Sequence, residues 1–66
     1  MKRYVMTIEF YDYYNNLVET KVEETNNFHQ ALGAFGIYIE HPECRKCYLA
    51  EYRGDTLKRI IATFQI

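Results

Sequence analysis

One stretch of this chain repeats its apolar residues with helical spacing, and nearly everything else alternates. Within Asn26 to Glu40, residues Phe28, Ala31, Leu32, Phe35 and Ile39 return three or four positions apart, the signature of one helix face. Asn26 or Asn27 is a suitable N-cap directly before Phe28, and Pro42 biases His41 away from helical geometry. Gly33 and Gly36 weaken the segment by about 1 kcal/mol each relative to alanine. The spacing predicts a helix over about 27–40, with a stop at Gly36 as the alternative.

The flanking segments read as strands. From Lys2 to Phe10, residues Tyr4, Met6, Ile8 and Phe10 alternate with Val5, Thr7 and Glu9, the period of a half-buried strand. Val18, Thr20 and Val22 alternate with Glu19, Lys21 and Glu23, which predicts a second strand with a charged outer face. If Phe10 and Val18 share the buried face, a two-residue Asn15-Asn16 turn has the wrong parity, so a longer loop or a bulge is expected.

Gly54-Asp55 suits a two-residue hairpin turn with glycine first. Counting outward pairs Arg53 with Thr56, Glu51 with Lys58, Leu49 with Ile60 and Cys47 with Ala62. That register gathers Cys47, Leu49, Ile60, Ala62 and Phe64 on one face. On the reverse it sets Tyr48 against Ile61, Ala50 against Arg59 and Tyr52 against Leu57. The expected fold is α+β: a single ββαββ domain over residues 1–66, a two-layer sandwich with a four-stranded, mostly antiparallel sheet and the helix on one face.

Composition narrows the class. The chain is 48% hydrophobic and 26% charged, with seven Tyr and four Phe, which excludes disorder. A chain of 66 residues buries only about 60% of its unfolded surface, so a partner, a metal or a disulfide would add useful stability. No apolar run reaches the length of a signal-peptide core or a membrane span, so a cytoplasmic location with reduced thiols is expected. Net charge is −1, unevenly placed: residues 1–40 carry three cations and six carboxylates, residues 41–66 five cations and three carboxylates.

Candidate chemistry is sparse. Cys44 and Cys47, with His41 upstream and His29 on the helix, are zinc-type ligands at partly suitable spacing. A Cys47 buried in its strand opposes that reading, and the expectation is no metal and no cofactor. A redox Cys-x-x-Cys sits at a helix N-terminus, whereas this pair follows a helix and enters a strand. Glu9, Glu19 and Glu23 are expected to share the solvated face of the first hairpin, with no apolar pocket to tune them for acid–base work. No nucleophile triad or phosphate loop is present, so the expectation is a protein that is not an enzyme.

One surface stands out. A sheet covered by its helix on one side leaves the other to water, and the predicted register puts Tyr48, Tyr52, Leu57 and Ile61 around Arg59 there. Clustered apolar side chains of this kind mark partner sites, and Tyr and Arg are enriched at interface centres. The reading is an interaction domain that binds protein, most simply itself as a homodimer. Alternatively, the same aromatics with Arg45, Lys46, Arg53 and Arg59 could stack single-stranded nucleic acid, against which the pI near 6.1 weighs. A third reading lets the acidic first hairpin engage a basic surface, as a small phage-type inhibitor of a host protein would.

Overall fold

The computed structural model describes all residues 1–66. It contains β1 (Lys2–Tyr11), β2 (Leu17–Thr25), α1 (Phe28–Ile39), β3 (Cys44–Arg53) and β4 (Thr56–Gln65). The strands form one antiparallel sheet in the order β2-β1-β3-β4, with α1 connecting the edge strand β2 to β3 across β1. This is the expected ββαββ α+β arrangement.

The helix forms where its spacing predicts. Asn27, in extended conformation, caps it by accepting a 2.9 Å bond from the Gln30 N–H, and neither interior glycine ends it. Its buried stripe is displaced from the expected one. Ala31 is buried, and Phe28, Ala34, Phe35, Tyr38 and Ile39 pack on the core, while Leu32 lies to the side at 38% exposed.

A helix is about 10–12 Å across, whereas four strands span nearly 20 Å, so one helix covers roughly the two central strands. Here those are β1 and β3. Tyr4, Met6, Ile8 and Phe10 of β1 join Cys44, Cys47 and Leu49 of β3 and Ala31 to form the core. Only ten of the 66 residues are buried, and the molecule is elongated, 40 × 21 × 15 Å. The stabilising apolar area is correspondingly small.

Both hairpin connections show the chemistry their residues favour. Gly54, at φ +58°, opens the tight β3–β4 turn. The β1–β2 connection is a loop over residues 12–16 in which Asp12 Oδ1 accepts from the Tyr14 and Asn16 N–H groups, each at 2.9 Å, and Asn15 takes the left-handed conformation. Those bonds, Asn16's first, hold the Asp12 carboxyl below the usual carboxylate range.

Irregular pairing decides which side chains share a face. The β1–β2 ladder shifts between Phe10 and Tyr11, as expected, but Phe10 pairs with Glu19 rather than sharing its face with Val18. Consequently Glu19, Lys21 and Glu23 lie on the helix side, while Thr20 and Val22 lie on the reverse. β2 tolerates this because it is an edge strand only partly reached by α1. Tyr38 bridges the gap: its hydroxyl donates to Glu23 and its ring lies 5.4 Å from Lys21 Nζ.

The second hairpin carries two shifts, between Leu49 and Ala50 and between Glu51 and Tyr52. Arg53 opposite Thr56 and Tyr52 opposite Leu57 are as counted, but Ala50 pairs with Ile60, Glu51 with Arg59, Leu49 with Ala62, Cys47 with Phe64 and Tyr48 with Thr63. Ile60 therefore moves off the helix face. Ile61, expected on the open face, instead packs against the core. No helix is long and apolar enough to cross a membrane.

Candidate functional site: the open sheet face

The face turned away from α1 is built from four rows of side chains, each row crossing the strands. Beginning at the end that holds the Gly54 turn, they are Arg3–Tyr52–Leu57, then Glu24–Val5–Ala50–Ile60, then Val22–Thr7–Tyr48–Thr63, and finally Thr20–Glu9–Lys46–Gln65. The two middle rows hold one charge among eight positions. That charge, Glu24, is neutralised by Arg3 at 2.6 Å. Val22 is 63% exposed and Ile60 49%, so this centre is apolar and in contact with solvent.

Polar groups gather at the two ends and are largely paired within the chain. Arg3 also donates to the Gly54 carbonyl at 2.9 Å and lies 5.4 Å from the Tyr52 ring centroid. At the other end the Tyr11 hydroxyl donates to Glu9 at 2.8 Å, and holding that proton against the carboxylate raises the phenol's pKa. An apolar centre with a polar margin is the anatomy of a protein-contact surface.

The sequence-predicted site residues divide accordingly. Tyr48, Tyr52 and Leu57 are brought together on the open face, as expected. Ile61 and Arg59 are not. Ile61 packs on the core, and Arg59 turns to the helix side, where its Nε donates to Glu51 Oε1 at 2.8 Å. Glu51, expected near the rim, is buried, and the Arg59 hydrogen bond, aided by the charges of Lys2 and Arg53, holds its carboxyl below the usual range. Ala50 was expected on this face, though opposite Arg59 rather than Ile60, while Val5, Val22 and Ile60 were missed. For Val5 and Val22 the one signal was continuity of row across β1, β2 and β3, which requires the strand order, and Ile60 reaches this face only through the β3–β4 register shift.

The same placements bear on the other candidate sites. Arg53, opposite Lys2, and Arg59 face the helix side, so they do not join Tyr48 and Tyr52 as a stacking platform. The acidic hairpin is split, with Glu9 on the open face and Glu19 and Glu23 on the other. Cys44 and Cys47 both face the core because the β1–β3 ladder shifts between Glu9 and Phe10, setting Cys47 opposite Ile8 and Cys44 opposite Phe10. Both are free thiols, raised by burial, Cys47 to about 11. His41 stacks edge-on against Phe10, His29 lies beside Phe28, and no three His, Cys, Asp or Glu residues come together as a metal site.

A cavity of about 260 Å³ opens beside α1, with Tyr4, Met6, Ala31, Ala34 and Leu49 against Glu23 and Gln30. Its polar groups are engaged with neighbours: Gln30 accepts from the Thr25 hydroxyl at 2.8 Å, and Glu23 accepts from Tyr38.

Fold and face together define a class: a small α+β domain with one sheet surface packed by its own helix and one left uncovered, apolar at its centre. Compared with known protein families, curated proteins and solved structures, the chain matches none.

Proposed function

We propose that this protein is a non-enzymatic interaction domain that associates with a second copy of itself through the open sheet face. The observation that carries the reading is the continuous apolar centre spanning all four strands, Val22, Val5, Ala50, Tyr48 and Ile60, whose one charge, Glu24 at the β2 edge, is paired with Arg3. Four strands about 4.8 Å apart and four rows about 6.8 Å apart make a face of roughly 500 Å² in projection. Two such faces would bury on the order of 1,000 Å², the lower end of specific interfaces. A core of eight buried residues gains most from that added burial.

Self-association fits better than nucleic-acid binding because the open face carries few free cations: Arg3 is engaged with Glu24, and Arg53 and Arg59 point elsewhere. We read the compartment as a reducing cytoplasm, in keeping with two free, buried thiols. Sedimentation equilibrium at micromolar concentration tests the proposal. The wild-type chain should sediment as a dimer and Ile60→Glu as a folded monomer. A wild-type monomer across that range, or a dimer indifferent to Ile60→Glu and Tyr52→Glu, removes it.

A further inference from the structure

Resting on the self-association just proposed, we infer how the two copies are arranged: face to face about a two-fold axis that runs across the strands between the Val5 row and the Thr7 row, so that β1 lies over β1 and β3 over β3 with opposite ends of the molecule together. Two independent features of the face select this axis.

The first is shape. Tyr48 is a large side chain, 37% exposed, while Ala50, two residues along the same strand, is a small one covered by its neighbours at 4%. The bulkiest side chain of the two middle rows on one side of the axis and the smallest on the other are complementary in size. The operation seats each Tyr48 over the other copy's Ala50, and an isologous interface requires such matching in both directions. The competing two-fold, parallel to the strands between β1 and β3, sets Tyr48 on Thr7 and Ala50 on Val5, crowding one pair and leaving a gap at the other.

The second is charge. The end holding the Gly54 turn carries Lys2, Arg3, Arg53, Lys58 and Arg59 against Glu24, Glu51 and Asp55, an excess of two positive charges. The opposite end carries Lys21, Arg45 and Lys46 against Glu9, Asp12, Glu19, Glu40 and Glu43, an excess of two negative charges. The dipole of α1, whose N-terminus lies toward the first end, adds in the same sense. The cross-strand axis joins opposite ends and sets the Arg3 guanidinium, paired with Glu24 in its own chain, toward Glu9 of the second copy so that it bridges both carboxylates, whereas the competing axis joins like ends. Packed sheets incline by about 30°, which moves the outer rows by about one strand spacing, a displacement that an arginine side chain can span.

A charge exchange tests the axis. Arg3→Glu and Glu9→Arg should each weaken self-association about tenfold or more, and an equimolar mixture should recover a heterodimer within about threefold of the wild-type affinity, since every reversed charge then meets its opposite. Sedimentation equilibrium and native mass spectrometry read the species, with circular dichroism confirming that each variant is folded. If the wild type dimerises and Ile60→Glu abolishes this, but the mixture does not recover, the axis is wrong and the interface stands. If Glu9→Arg pairs instead with Lys46→Glu, the strand-parallel axis is the correct one. A wild-type monomer overturns both the arrangement and the reading beneath it.

Discussion

At the scale of single residues, the helix side of the sheet holds two kinds of group whose state depends on burial. Cys47 is fully buried opposite Ile8, and with its pKa raised to about 11 the folded form keeps the neutral thiol. Stability from this source is present below the unfolded thiol's value, near 8.5–9, and is lost as pH rises toward 11, by roughly 2–3 kcal/mol. Denaturant melts between pH 8 and 11 should show that decline in the wild type and less of it in Cys47→Ala. At pH 8 both native thiols should react with a disulfide reagent only as fast as the protein opens. Glu51 runs in the opposite sense. Its folded carboxyl lies below the ordinary range, so its contribution is present above the unfolded value and falls away as pH drops through the lower folded one. Acid unfolding of Glu51→Gln should be less steep below about pH 4 than that of the wild type.

At the scale of elements, α1 is weaker than its position at the centre of the fold suggests. A Cβ added at Gly33 or Gly36 meets nothing within 4 Å, and neither residue has positive φ. Gly33→Ala and Gly36→Ala should each therefore stabilise the protein by about 1 kcal/mol in urea melts, through helix propensity and a less flexible unfolded chain. Loss of the cap in Asn27→Ala should cost about 1 kcal/mol by the same measurement. The strands show how far alternation can be trusted. β1 obeys it throughout, with Tyr4, Met6, Ile8 and Phe10 inward. β3 and β4 obey it only between their bulges, and each extra residue moves the next side chain to the other face. Ile60 and Ile61 exchange roles for that reason, and Arg59 replaces Lys58 as the partner of Glu51.

At the scale of the whole molecule, one 12-residue helix cannot cover a sheet of four strands, and the uncovered face is the largest feature left without an intrachain role. If that face pairs with itself, folding and association are linked. The melting temperature should then rise with protein concentration by a few degrees per tenfold change, and Ile60→Glu should abolish the dependence.

Local periodicity was enough to identify the elements, since a helical stripe, alternating strands and a Gly-Asp turn each arise from interactions within a few residues. Three of the open-face residues were readable in that way, Tyr52 and Leu57 because the pairs nearest the turn keep their count, and Tyr48 because β3 alternates without interruption from Lys46 to Tyr52. The remainder depended on which strands became neighbours and where the ladders slipped. β1 lies at the centre rather than at an edge, so Val5 and Thr7 join Ala50 and Tyr48 in continuous rows, and β2 lies beyond the helix, so its valines can face water. Strand order and bulge positions come from packing between segments distant along the chain, and no local pattern encodes them.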